Sequence, residues 1–119
     1  MREIKFRGKR LDNGKWVFGS LVTDNVLRAW IDIEDGMVEI DMNTVGQFTG
    51  IVDIEGNDIC EGDIIVDAEF EVLPRLVFWH KEYTRFSCTS TRGIGYLALS
   101  DYDAPKVIGN IYDNPELLK

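Results

Sequence analysis

One histidine, His80, and two cysteines, Cys60 and Cys88, are the side chains of this 119-residue chain best suited to nucleophilic or metal chemistry. A catalytic thiol or hydroxyl needs a base beside it and a third group to orient that base. Cys88 and His80 lie on either side of one expected hairpin and are the pair to consider, but no third group completes the set. His80 also falls at a strand end beside Lys81 and Glu82, where an exposed imidazole is expected. One histidine and two distant cysteines make no zinc pattern. The acidic loops Asp32-Ile33-Glu34-Asp35-Gly36 and Asp53 to Asp58 lack the EF-hand spacing, with its glycine at position 6 and glutamate at position 12. Glu61 and Asp63 form a carboxylate pair, but among 21 acids such a pair is uninformative. There is no P-loop and no GxGxxG. The chain therefore reads as non-enzymatic, without cofactor or metal, its cysteines two reduced thiols in the core.

A second group of residues suits binding. Arg7, Lys9, Arg10, Lys15, Trp16 and Phe18 cluster around one hairpin, and aromatics among cations can stack single-stranded bases. Charge opposes a broad nucleic-acid role. Residues 1–23 carry a net +4, residues 24–71 a net −13 and residues 72–119 a net +1, within a chain of net −8. The acidic middle repels a phosphate backbone. It also complements the basic arm, within one subunit or between two. The expected partner is thus a second copy of the chain, or another protein, ahead of nucleic acid.

These side chains must be positioned by strands, because the apolar period is two rather than 3.6. Ile4 and Phe6 alternate with Glu3, Lys5 and Arg7. Asn13-Gly14 signals a hairpin with a type I′ turn, which needs φ > 0 at both residues. Strands are expected over Trp16 to Val22, Val26 to Ile33 and Met37 to Met42, with a turn at Asp35-Gly36. The first 42 residues thus read as a hairpin meander. Thr44 to Thr49 is a further strand, in which Gly46 suggests a bulge or close backbone approach. Ile64-Ile65-Val66 suits a central strand buried on both faces. Phe70 and Val72 alternate with Glu69 and Glu71 before Pro74. Leu76 to Trp79 pairs with Arg85 to Thr89, and a loop or bulge surrounds Gly93 and Gly95. Tyr96 to Leu99 is a short element, and Lys106 to Ile111 the last strand. Asn114-Pro115 then caps one short turn. Short strands with turn signals between them argue a mainly β barrel or sandwich with at most short helical turns. A soft boundary falls near Asn43. No apolar run is longer than four residues, against the 20 or so of a membrane span. The charged start lacks an apolar signal region. A cytoplasmic location is expected.

Four patches in order resemble the YopX family of phage and prophage proteins. They are Arg2 to Arg7; Gly8 to Leu21, with a lengthened first hairpin; a central signature of Thr44 to Gly50, including Gly46, Gln47 and Gly50, then Asp53, Gly56, Ile59 and Glu61 to Ile65, including Gly62 and Asp63; and Val107 to Leu118, including Gly109, Asn110, Asn114 and Pro115. Ile54 and Cys60 depart from the charged turn residue and the aromatic usual at those positions. The resemblance implies an N-terminal β-rich extension over residues 1–43 and a small SH3-like barrel over 44–119. It implies no established activity, a location in the bacterial host cell, and a host or phage protein as the other partner. Turn chemistry alone accounts for the glycines, aspartates and asparagines of the signature.

Overall fold

The structure, a computed structural model, describes residues 4–24, 26–69, 73–90 and 95–118. The expectations at Phe70, Val72 and Gly93 lie outside them. The fold is mainly β: two antiparallel five-stranded sheets, with two single 3-10 turns among the described residues. The chain forms two compact units, Met1–Gly50 and Ile51–Lys119.

The first unit is the expected meander: β1 (Phe6–Arg10), β2 (Trp16–Thr23), β3 (Ala29–Ile33) and β4, which starts at Gly36 and ends at Val52. Alternation turns Phe6, Val17, Leu21, Ala29, Ile31, Ile33 and Ile40 inward, where they pack together with Met42 and Val45. Ala29 and Ile31 are wholly buried. β1 pairs with both β2 and β4, Phe6 facing Gly19 on one side and Gln47 on the other. The run of pairings from β1 through β4 therefore returns to β1.

Met37–Met42 and Thr44–Thr49 are one strand, not two. Its interruption is a large bulge: Arg7 faces Gly46 while Lys9 faces Asp41. Thr44 holds the bulge, its Oγ1 accepting the Lys9 N–H at 2.9 Å and donating to the Asp41 carbonyl at 2.6 Å. Asn43 donates its N–H to the Asp41 carboxylate at 3.0 Å. Asn43 is thus a bend inside β4, and the division into units falls at Gly50, whose φ is +86°.

Two further local expectations are corrected. The Asn13-Gly14 loop spans five residues, Leu11 to Lys15, and of that pair only Gly14 has positive φ, so it is not a type I′ turn. Asp12 binds Arg10 through two hydrogen bonds and Asn13 Oδ1 accepts the Lys15 N–H, which favours the longer loop. The third strand starts at Ala29 instead of Val26. Asp24 Oδ1 takes the N–H groups of Val26 and Arg28, holding the chain in a turn and leaving Val26 and Leu27 exposed.

In the second unit β5 (Asp58–Cys60) lies beside β4. The other strands, β6 (Asp63–Asp67), β7 (Arg75–His80), β8 (Arg85–Thr89), β9 (Leu97–Ala98) and β10 (Pro105–Asn110), form a sheet in the order β10-β6-β7-β8-β9. Ile64, Ile65 and Val66 are buried on both faces of β6, as a central strand requires. The core joins Ile59, Ile65, Val77, Cys88 and Leu99, with Phe86 and Tyr102 against it.

Side chains that take over backbone hydrogen bonds close the turns of this unit. Asn110 Oδ1 accepts the N–H groups of Tyr112 and Asp113. Asn114 Oδ1 accepts that of Asn110, and Pro115 opens the final 3-10 turn, Pro115–Leu118. A Cβ on Gly109 would lie 2.6 Å from that same Asn114 oxygen. Asp63, 2% exposed, accepts the Cys60 N–H at 2.8 Å. Gly62 has φ +90°, donates its N–H to the Val77 carbonyl at 2.9 Å and accepts from the Ile111 N–H at 2.8 Å. A β-branched side chain opposes that φ, so Gly62→Val should destabilise the protein by about 1–3 kcal/mol. An unchanged urea midpoint would show that the conformation is not required.

Candidate functional site

The N-terminal hairpin separates its six candidate residues. Arg7 and Lys9 share the outer face of β1, and the register sets Arg7 opposite Phe18 and Lys9 opposite Trp16. The Arg7 guanidinium lies 4.6 Å from the Trp16 ring centre and the Lys9 ammonium 5.5 Å from it. Lys5 joins this face, which spacing alone did not indicate, 5.9 Å from Phe18 and 5.0 Å from Phe48 of β4. Such stacking holds the cations in place; Lys5 and Lys9 are half-buried, whereas Arg7 is buried. Arg10 points to the other face and is bound to Asp12. Its hydrogen bond is the main reason the Asp12 carboxyl stays below the usual carboxylate range. Lys15 lies in the connecting loop. The site is therefore Lys5, Arg7, Lys9, Trp16 and Phe18, with Arg10 and Lys15 outside it.

The thiol and the imidazole are not brought together. Cys88 pairs with Val77 and faces the core, whereas His80 pairs with Arg85 on the opposite face. Burial pushes the Cys88 thiol up to about 11, against a smaller opposing effect of Arg75, so it stays protonated at neutral pH. His80 is not exposed, as its polar neighbours suggested, but buried. It shares a sheet face with Leu76 and Phe78, where Tyr96 at 4.5 Å, Tyr83 at 4.6 Å and Phe78 at 5.6 Å surround its ring. Next to this cluster Glu61, Leu76, Phe78, Ile111 and Tyr112 line a concavity of about 390 Å³. These residues come from three separate parts of the chain, and no spacing rule links them. Among the described residues no three His, Cys, Asp or Glu side chains converge as a metal site, and no helix is long and apolar enough to cross a membrane.

Two antiparallel units, one with a cation-bearing aromatic face and one with an aromatic-lined hollow, define a mainly β protein. The chain belongs to the YopX family, whose model, described as YopX protein, matches residues 5–119. Its structure is similar to the crystal structure of protein EF1440 from Enterococcus faecalis, with a TM-score of 0.64 and 22% identity over 100% of both chains. That likeness establishes the fold. No curated protein matches the sequence.

Proposed function

We propose that the protein is a non-enzymatic interaction module that associates with itself through the outer face of its N-terminal hairpin. The observation that carries this reading is the pair Lys5 and Lys9, ordered on Phe48, Phe18 and Trp16, with the buried Arg7 stacked on Trp16 as well, within a chain of net charge −8. A fixed positive face on an acidic protein attracts an acidic surface of a second copy, and opposite charges steer encounter and fix register. Strand addition at the hairpin is not the route: β1 lies between β2 and β4, and β2 between β1 and β3. The reading includes a phage or prophage origin, action in the bacterial cytoplasm and an SH3-like second unit, supported by family membership and by five short antiparallel strands.

Light scattering tests this in low salt and at 1 M salt, where the Debye length falls to about 3 Å. A multimer is expected in low salt, dissociating at high salt and in the Lys5→Glu/Lys9→Glu double variant. A monomer in low salt at high protein concentration would overturn the reading.

The second reading, an accessory protein for single-stranded nucleic acid, rests on Trp16 and Phe18 sharing a face with the cations. Gel shifts with a single-stranded oligonucleotide at two salt concentrations separate the two, since phosphate contacts weaken steeply with salt.

A further inference from the structure

The outer face of the first unit carries acid as well as base. On one side of β2, Arg7 lies opposite Phe18 and Lys9 opposite Trp16. On its other side, Asp32 of β3 lies opposite Ser20 and Trp30 opposite Val22. Lys5, one residue before the Phe6–Gly19 pair, stands at the level of Ser20. The face therefore grades from cations on β1, across β2, to Asp32 on β3 and to Glu34 and Asp35 at the end of the β3–β4 hairpin. Asp32, Glu34 and Asp35 are exposed, and among the described residues none of their side chains has a hydrogen bond or ion pair. Between the two charged edges, Phe18 is 45% exposed and Val22 37%, on either side of the small Ser20.

Resting on the self-association proposed above, we infer that two copies pack outer face to outer face about a two-fold axis along β2. The β1 lysines of each copy then meet Asp32, Glu34 and Asp35 of the other. Neighbouring strands lie about 4.8 Å apart, so β1 and β3 flank β2 at equal distances. Rotation about an axis along β2 exchanges the two flanks and keeps every level. Lys5 of one copy thus falls over Asp32 of the other. An axis across the strands would instead set β1 over β1, cation against cation. Charge selects the first orientation. A two-fold contact uses one patch twice, so every charge pair forms twice. Phe18 and Val22 of both copies meet at the axis, an apolar centre within a charged rim. Lys5 and Lys9 retain their contacts within the chain. An ammonium carries three N–H donors, so a carboxylate of the second copy is an additional acceptor.

Sedimentation velocity in low salt tests this on the full chain. The wild-type protein should be a dimer. Lys5→Glu/Lys9→Glu and Asp32→Lys/Asp35→Lys should each weaken association more than about tenfold, because like charges then oppose each other. An equimolar mixture of the two variants should form a 1:1 dimer, since each reversed edge now faces its opposite. Both variants keep a negative net charge, so overall charge does not draw them together. Recovery in the mixture also shows that both are folded. A monomeric wild-type chain would defeat the self-association itself. A dimer that Asp32→Lys/Asp35→Lys leaves intact would overturn the inference alone, with the lysine face still in place. So would variants that stay monomeric when mixed, or a wild-type assembly larger than a dimer.

Discussion

Asp53→Ala is expected to lower the stability of the protein by about 3 kcal/mol, because one buried carboxylate holds a turn and a distant strand together. Asp53 is 4% exposed. Its Oδ1 accepts the N–H groups of Glu55 at 2.9 Å and Asn57 at 2.8 Å. Its Oδ2 accepts the Val107 N–H at 3.0 Å and lies 3.4 Å from the Asn57 side-chain amide. Val107 adjoins the irregularity in the β10–β6 register, where the regular ladder slips. Alanine would leave several N–H donors without their acceptor, which costs more than the loss of an exposed bond. Burial by itself would raise the Asp53 carboxyl, but the N–H groups of Val107, Asn57 and Glu55 outweigh it and the pKa is lowered. Since the folded-state value lies below the unfolded one, near 3.9, the carboxylate's contribution is fully present above that value. It is lost as the pH falls through the folded-state pKa. Urea midpoints at pH 7 and through the acid range check this. The variant should be less stable at neutral pH and should lose less stability on acidification. Equal midpoints at pH 7 would show that the bonds are dispensable.

Gly19→Ala should also cost about 3 kcal/mol, for a steric reason. A Cβ at this position would lie 2.2 Å from the Asp32 carbonyl oxygen and 3.0 Å from Ile31 Cγ2. The first is backbone of β3, hydrogen-bonded into the sheet beside β2, and the second belongs to a wholly buried side chain. Neither can move without separating β2 from β3, and overpacking of this kind costs about 1–3 kcal/mol or more. The neighbouring Ser20→Ala, on the exposed alternate position, should stay within about 0.5 kcal/mol and serves as the control. Thermal melts in which the two variants matched would show that the close approach is not obligatory.

Period-two alternation fixes strands wherever one face is apolar and the next position polar. That is why β2 and β8 were legible within a residue, as were β6 and β7 from their short apolar runs, while β1 runs three residues further, to Arg10, than its alternation indicated. The same logic overextended the third strand to Val26. The sequence shows an apolar residue there, but not that Asp24 turns its oxygen back onto the local N–H groups. It also divided β4 at Asn43, because a bulge held by Thr44 against Lys9 depends on a partner 35 residues away. The turn residues Gly62, Asp63, Asn110, Asn114 and Pro115 were readable, since their roles are local.

The candidate surfaces divide along the same line. Cations and aromatics on adjacent strands of one hairpin are close in sequence, so Arg7, Lys9, Trp16 and Phe18 could be grouped from the chain alone. Lys5 needed the pairing with β4, which brings Phe48 alongside. The separation of Cys88 from His80 was decided by which face each strand position takes once the register is set. The aromatic-lined hollow belongs wholly to tertiary structure. Glu61, Phe78 and Tyr112 lie on three segments, and only the sheet order and the Gly62 turn place them around one hollow, with Tyr96 packed on Phe78. Local hydrogen bonding and alternation are written in the neighbours of each residue; a surface assembled from distant segments exists only after the backbone pairs.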